Sequence, residues 1–212
     1  MKNARLKTLI VVLAIMWGGL GASRPQEGNV DVLPTDEGEV KIRPITHGSL
    51  MLEFRGKVIH IDPWSRGNYA GLPKADIILI TDIHPDHMDR AMVDHLKKET
   101  TVILAPAAVA ETIREAQIIR NGERKTVEGI TIEAVPMYNL VRGPSPGQLY
   151  HTKGRGNGYV LTLGGRRVYI SGDTECVPEI KALKGIDVAF ICMNLPFTMP
   201  PEEAAECVKA FR

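Results

Sequence analysis

The chain has 212 residues, of which 44% are hydrophobic, so it can bury one well-filled core but is short for two ordinary domains. Its 26 Lys and Arg residues balance 25 Asp and Glu residues, which gives a formal net charge of +1. A protein that binds long nucleic acids would need a basic surplus, and 5% aromatic residues offer no platform for stacking bases. We therefore expect a small-molecule substrate and no nucleic-acid partner.

The N-terminus has the three-part order of a secretory signal peptide over residues 1–23. Basic residues at positions 2, 5 and 7 precede an unbroken apolar run over residues 9–17, and residues 18–23 are mostly small. The apolar run is shorter than the ~20 residues of a transmembrane helix, which leaves an uncleaved membrane anchor as the alternative. We expect an exported protein, periplasmic or secreted, that has no stable membrane insertion after cleavage.

The next segment, residues 24–40, is rich in Pro, Gly, Asp and Glu and is predicted to be a flexible lead-in. The folded domain is then expected over residues 41–212. Three cysteines at wide spacing, Cys176, Cys192 and Cys207, do not resemble a disulfide scaffold or a thiolate zinc site. One disulfide would be compatible with export, but buried free thiols are the expectation.

Short apolar segments alternate with turn signals through the domain. Residues 49–54 and 57–61 alternate around Arg55-Gly56 and predict a β-hairpin, and the apolar run 76–81 predicts a strand buried on both faces. Further strands are predicted over residues 101–104, 130–135, 158–163, 167–171 and 187–192. Helices are predicted over residues 89–98 and 107–116 and from Pro200 onward. Strands followed by mixed strands and helices indicate an α/β sandwich built on two sheets.

A dense group of polar side chains follows the strand 76–81. Five candidate ligands lie within eight residues of one another, namely Asp82, His84, Asp86, His87 and Asp89. Imidazole and carboxylate groups are the ligands that Zn, Fe and Mn take in proteins, so this stretch predicts a metal site. The alternative is a polar loop that caps the next helix through Asp86 or Asp89.

Two later residues extend this prediction. Asp173 directly follows Gly172 at the end of a predicted strand, and its two carboxylate oxygens could bridge two metal ions. Taken alone, an Asp at that place is more often a turn residue. His151 lies in a Gly-rich loop, where an isolated His is more often a surface residue. The glycines of residues 154–158 lack the Lys-Ser/Thr ending of a phosphate-binding loop.

In their order along residues 41–211, these pieces resemble the metallo-β-lactamase superfamily, and within it the ascorbate-phosphate lactonase-like branch. The matching motifs are Thr46-His47-Gly48-Ser49-Leu50, Ile61-Asp62-Pro63, Asp82-Ile83-His84-Pro85-Asp86-His87, Met137-Tyr138-Asn139, His151, Gly156-Asn157-Gly158-Tyr159-Val160, Ser171-Gly172-Asp173-Thr174, and Phe197-Thr198-Met199 before Pro201-Glu202-Glu203-Ala204-Ala205. Each motif is weak alone, and their order and separations make the signal specific. The resemblance implies an αββα sandwich.

The resemblance also implies the roles of the site residues. His84 and His151 would hold one divalent ion, Asp86 and His87 a second, and Asp173 would bridge them. Zn is the expected metal, with Mn or Fe as alternatives. A water or hydroxide between the ions would be the nucleophile, since a bound divalent ion lowers its pKa toward ~7. Asp86 and Asp173 would then be the catalytic carboxylates.

Two features depart from the family's pattern. Asp82 stands where the first ligand is usually a His, so it is either a harder ligand that favours Mn or Fe, a weaker ligand, or no ligand. The family's last metal-binding His follows the final helix, whereas no His follows His151 here. We expect either a C-terminally truncated domain that lacks its closing strand or an incomplete second site, and the break after a helix favours truncation. His47 is expected to support the ligands, and His60 to lie in the core.

The leading hypothesis is therefore a metallo-hydrolase that acts on a small ester, lactone or phosphodiester, with esters and lactones ranked ahead of phosphodiesters. The alternative is a non-catalytic or degenerate metal-binding domain that has lost the full dinuclear site. A third hypothesis is a di-iron oxidoreductase, which would need an electron-carrier partner. The sequence does not predict an oligomeric state.

Overall fold

The computed structural model describes residues 30–211, and the predicted signal peptide lies outside these residues. Two strands, β1 (Asp31–Thr35) and β2 (Gly38–Thr46), pair antiparallel at the start of the described chain. The prediction of a flexible lead-in is therefore wrong for residues 31–40. Leu33 and Val40 are buried in the core while their neighbours in the strands are exposed, which anchors the hairpin to the domain.

The first sheet has seven strands in chain order. After β1 and β2 it contains β3 (Ser49–Phe54), β4 (Lys57–Ile61), β5 (Ile77–Leu79), β6 (Val102–Ala105) and β7 (Gln117–Ile118). The strands from β1 to β4 pair antiparallel, and those from β4 to β7 pair parallel. The apolar sequence of β5 fits its position, because this strand is buried on both faces.

The second sheet has five strands in the order β12-β11-β10-β9-β8. They are β8 (Arg124–Val127), β9 (Ile130–Met137), β10 (Gly156–Leu163), β11 (Arg166–Ile170) and β12 (Val188–Phe190). All neighbours pair antiparallel except β11 and β12, which pair parallel. The Gly164-Gly165 turn between β10 and β11 has positive φ at both residues, as a two-residue hairpin of matching twist requires.

The two sheets pack face to face and helices cover their outer faces. Leu52 and Ile59 of the first sheet share one buried cluster with Ile132 and Leu161 of the second. The helices are α1 (Arg90–Leu96) and α2 (Ala107–Ala110) against the first sheet, and α3 (Pro178–Lys181) and α4 (Pro201–Lys209) against the second. This arrangement is the αββα sandwich, and the predicted fold is confirmed. Within residues 30–211, no helix is both long and apolar enough to span a membrane.

Two local predictions are wrong. The helix predicted over residues 107–116 ends at Ala110, and the chain continues in turns such as Thr112 N–H to Val109 O, which still bury Ile113. Cys176 and Cys207 form a disulfide, whereas free thiols were expected, and Cys192 remains free. The bond forms because α4 packs near the segment after Asp173, which brings the two cysteine Cα atoms to 5.6 Å.

Candidate metal centre

The predicted ligands lie in connections that leave the strands at one region of the sandwich. Residues 82–89 connect β5 to α1, and Asp89 caps this helix by accepting a hydrogen bond from Met92 N–H at 3.1 Å. Asp89 is thereby explained as a capping residue, and Asp86 is not the cap. His151 precedes β10 and Asp173 follows β11, so the second sheet contributes to the same centre.

All six predicted ligand residues lie at this centre: five of them, together with His47, form two groups, and the sixth, Asp173, lies between the groups. The first half-site consists of Asp82, His84 and His151, and the second half-site consists of His47, Asp86 and His87. Within each half-site the candidate ligand atoms lie within 4.8 Å of one another. Such spacing allows a single ion to contact all three residues of a half-site.

Asp173 lies between the two half-sites. Its Oδ2 atom is 3.4 Å from His151 Nε2 and 3.5 Å from His87 Nε2. Burial alone would raise the pKa of Asp173, but the two adjacent imidazoles hold that pKa well below its usual value. Asp173 is therefore an anion that faces both half-sites, which is the position of a bridging ligand.

His87 is oriented by Asp62, a residue that sequence reasoning assigned only to a family motif. Asp62 Oδ2 lies 2.8 Å from His87 Nδ1, and Asp62 Oδ1 accepts a hydrogen bond from Thr81 N–H at 2.7 Å. Burial alone would lower the pKa of His87, but Asp62 and Asp173 on either side raise it well above its usual value. Binding of an ion at Nε2 would therefore release a proton.

His151 has an equivalent support on the other side. Asn139 Oδ1 lies 2.7 Å from His151 Nδ1 and also accepts a hydrogen bond from His151 N–H at 2.8 Å. Asn139 is in turn held by Glu175, whose Oε1 accepts from the Asn139 amide at 3.1 Å. Neither Asn139 nor Glu175 was identified as a site residue from the sequence, because their contacts join segments far apart in the chain.

These contacts test whether the residues fit a metal ion. The Nε2 atoms of His87 and His151 are buried and have no hydrogen-bond partner within the described part of the protein. Both rings are also nearly inaccessible to solvent, so water cannot readily replace such a partner. A buried polar atom without a partner is costly, and an imidazole whose Nδ1 is held by a carboxylate or carbonyl oxygen presents Nε2 to a metal in many proteins. The donor set of imidazoles and carboxylates suits Zn, Mn or Fe. The residues therefore fit a divalent ion.

Asp82 has a different environment from the other carboxylates. Arg155 binds it through two hydrogen bonds, from Nε to Oδ1 at 3.0 Å and from Nη2 to Oδ2 at 2.7 Å. His84 Nδ1 lies 3.0 Å from the same Oδ2. Burial alone would raise the pKa of Asp82, but His84 and Arg155 lower it to about 2. Arg155 was missed in the sequence because it lies 73 residues from its partner, in a Gly-rich loop without a motif.

His47 lies among the candidate ligands, where a supporting role behind them was expected. Its Nε2 is 3.2 Å from Asp86 Oδ2, and this contact lowers the pKa of Asp86 despite partial burial. His47 and Asp62 both adopt the left-handed conformation, with φ values of +47° and +43°. Such strained backbone is concentrated at functional sites. His60 instead contacts Pro73 O at 3.0 Å within the buried interior, as expected of a core residue.

A cavity of about 300 Å³ opens beside the second half-site. One side is formed by centre residues, including His47, His87 and Asp173. The lining also includes the apolar side chains of Leu50, Ile170, Phe190, Ile191 and Met193. None of the described residues that line this cavity is a Lys or an Arg. A small substrate with an uncharged or apolar part would fit such a space.

Comparison with known proteins agrees with the fold and with metal-dependent hydrolysis. The chain is 32% identical over 187 residues to a UPF0173 metal-dependent hydrolase of Thermococcus onnurineus, which covers 82% of this chain and 80% of the relative. It is 29% identical over 188 residues to a protein of the same name from Symbiobacterium thermophilum, with the same coverage.

Solved structures give the same result. A candidate metal-dependent hydrolase from Parabacteroides distasonis superposes with a TM-score of 0.81 at 42% identity and covers 87% of this chain and 84% of its own. A metallo hydrolase from Ignicoccus hospitalis, at 23% identity, shares the fold with a TM-score of 0.65 over 81% of this chain and 78% of its own. The family model described as the beta-lactamase superfamily domain matches residues 41–212. The chain therefore belongs to the metallo-β-lactamase superfamily.

Proposed function

We propose that this protein is a metal-dependent hydrolase of small carboxylic esters or lactones. The observation that carries the proposal is the pair of buried, unpartnered Nε2 atoms of His87 and His151, which face the shared carboxylate of Asp173. The relatives from Thermococcus and Symbiobacterium are named metal-dependent hydrolases, which supports the reaction class. A divalent ion bound here would lower the pKa of a water toward ~7 and polarise the bond to be cleaved.

The chain's own residues would bind and orient the reactants. Asp62 and Asn139 fix the two imidazole rings, and Asp173 remains anionic between them. The carboxylate of Asp86 is about one third exposed and lies 3.8 Å from His87 Nε2, so we assign it to hold a proton during hydrolysis. Asp86 and Asp173 are accordingly the proposed catalytic carboxylates.

The cavity favours an ester or lactone over a phosphodiester. Its described lining combines centre residues with several apolar side chains and has no Lys or Arg to pair with a phosphate. A small lactone, which the lactonase-like resemblance favours, is the finer form of this proposal. Zn is the proposed metal, with Mn or Fe as alternatives because Asp82 replaces an imidazole with a carboxylate oxygen.

The activity test uses the chain without residues 1–23, freed of metal and then loaded with Zn²⁺, Mn²⁺ or Fe²⁺. We expect hydrolysis of p-nitrophenyl acetate and small lactones that chelation abolishes and metal restores, with slower turnover of bis-p-nitrophenyl phosphate. His151→Ala should abolish this activity, and His95→Ala, at an exposed position of α1, is the control. Activity that survives chelation or survives His151→Ala would refute the proposal.

One observation supports a second candidate, a binding domain without catalysis. Both carboxylate oxygens of Asp82 are engaged by Arg155, so the first half-site starts with one ligand already paired. Stoichiometric metal binding without turnover of esters, lactones or phosphodiesters would favour this candidate over the hydrolase.

We also propose that the protein is exported. The basic and apolar order of residues 1–23 supports this location, and so does the Cys176–Cys207 disulfide, since disulfides persist mainly in oxidising compartments. Cell fractionation with a C-terminal tag should recover a shortened protein outside the cytoplasm. A full-length protein in the cytoplasm would contradict the proposal.

A further inference from the structure

The two half-sites differ in what already neutralises their carboxylates. In the second half-site, Asp86 Oδ2 lies 3.2 Å from His47 Nε2 and 3.8 Å from His87 Nε2. An imidazole nitrogen can itself coordinate a cation, so both neighbours of Asp86 can serve as further ligands.

In the first half-site His84 Nδ1, 3.0 Å from Asp82 Oδ2, can also coordinate a cation, but the second neighbour of this carboxylate cannot. Arg155 binds Asp82 through a two-point ion pair at 3.0 Å and 2.7 Å, and a guanidinium keeps its charge at every physiological pH. The third guanidinium nitrogen, Nη1, donates to Tyr150 O at 2.8 Å, so all three nitrogens of Arg155 are held by hydrogen bonds. The guanidinium is therefore a permanent cation within this half-site.

Burial makes this difference consequential. The Asp82 side chain is fully buried, and the Arg155 side chain is only 19% exposed. A divalent ion on Asp82 would lie a few ångströms from the guanidinium, where water screens the repulsion poorly. It would also have to displace part of a two-point ion pair, which leaves a buried charge with fewer partners.

We propose that the two half-sites bind metal unequally: the half-site of His47, Asp86 and His87 binds a divalent ion tightly, and the Arg155–Asp82 ion pair keeps the half-site of Asp82, His84 and His151 weak. The inference rests on the metal centre of the proposed function and assigns His47 as a ligand rather than a support. Asp173 contributes to whichever half-site is occupied, because its Oδ2 faces both.

The first experiment is a titration of the metal-free chain with Zn²⁺ by isothermal calorimetry, with the bound metal counted by elemental analysis. We expect one tight event and a second that is weaker by about tenfold or more. Asp86→Ala and His84→Ala form a matched pair, since both side chains are partly exposed, at 31% and 42%. Asp86→Ala should lose the tight ion, and His84→Ala should retain it.

The second experiment tests the cause. Arg155→Met removes the charge and keeps the length of the side chain, so the weaker affinity should rise by about tenfold. Arg155→Lys retains the positive charge but not the two-point ion pair, and the affinity for the second ion should stay low. His47→Ala should weaken the tight event and leave the weak one unchanged.

The outcomes separate this inference from the proposed function. Two ions of equal affinity in the wild type, or loss of the tight ion in His84→Ala but not in Asp86→Ala, would overturn the inference and leave the hydrolase proposal standing. An unchanged second affinity in a folded Arg155→Met variant would also overturn it. No binding of any ion would refute both proposals together.

Discussion

Asp62 Oδ2 and His87 Nδ1 lie 2.8 Å apart, although their residues are separated by 25 positions in the chain. The parallel pairing of β4 with β5 makes this contact, because Ile61 pairs with Leu79 and the following residues leave the sheet side by side. The pair is almost completely buried, with side chains 2% and 3% exposed. Asp62 therefore controls the orientation of a candidate ligand without being one.

The first prediction concerns this pair. Asp62→Asn keeps the shape of the side chain but removes the negative charge that holds the His87 ring. We expect Zn²⁺ affinity to fall by about 10- to 100-fold, the range for loss of a group that orients a ligand. Calorimetric titration measures the affinity, and circular dichroism confirms the fold. Asp36→Asn, at an exposed turn, is the control, and equal affinities in the two variants would contradict the assignment.

The second prediction concerns Glu175, which holds the segment that contains Asn139. Its carboxylate accepts hydrogen bonds from the backbone N–H groups of Leu140 at 3.0 Å and Arg142 at 2.7 Å, and from the Asn139 amide. Glu175→Gln would place an amide donor against these donors. We expect the free energy of unfolding to fall by about 1–3 kcal/mol in urea denaturation.

The same variant should change the response to acid. Burial alone would raise the pKa of Glu175, but the N–H groups of Arg142, Asn139 and Leu140 hold it below its usual value of 4.5. A carboxylate with a lowered pKa contributes stability at neutral pH that is lost as the pH falls through that pKa. As the pH falls from about 5 to about 3, the wild type should therefore lose more stability than Glu175→Gln. Parallel pH profiles would argue against this role.

The third prediction uses two glycines that both have positive φ. A Cβ at Gly172 would lie 2.5 Å from Met137 Sδ and 3.0 Å from Thr81 Cβ, whereas a Cβ at Gly185 would meet nothing within 4 Å. Both alanine variants should lose about 1 kcal/mol of stability from backbone strain. Only Gly172→Ala should also weaken metal binding, because it displaces the neighbouring Asp173. Thermal melts and Zn²⁺ titrations of both variants test this contrast.

The fourth prediction concerns the disulfide between Cys176 and Cys207. The bond closes a loop with a sequence separation of 31 residues, for which a loss of about 2–4 kcal/mol is expected on removal. Dithiothreitol should lower the melting temperature of the wild type. It should leave the melting temperature of the Cys176→Ser/Cys207→Ser variant unchanged, and an equal effect on both would show that the bond does not stabilise the domain.

The sequence predicted those parts of the fold and the centre that depend on local pattern. Residues 49–61 alternate and form the hairpin, and residues 82–87 bring several ligand types together after one buried strand. Each of these two signals is carried by residues that are close together in the sequence, so no knowledge of the tertiary arrangement was needed.

The rest depends on contacts between distant segments. Arg155 meets Asp82 only because β10 delivers its preceding loop to the end of β5, and nothing in the loop sequence indicates a partner. Likewise, Cys207 reaches Cys176 only after α4 packs on the second sheet. The prediction of a helix beyond Ala110 was wrong for another reason. The apolar residues there are spaced as in a helix, but turns bury Ile113 equally well.

The position of Asp173 has a practical consequence for identifying the natural cation. Asp86 and His87 follow strands of the first sheet and Asp173 follows a strand of the second, so an ion that contacts all three would fasten one layer to the other. A ligand that binds only the folded chain raises its melting temperature, and at one concentration a tighter ligand raises it more. A series of melts with different divalent cations would therefore rank them without any knowledge of the substrate.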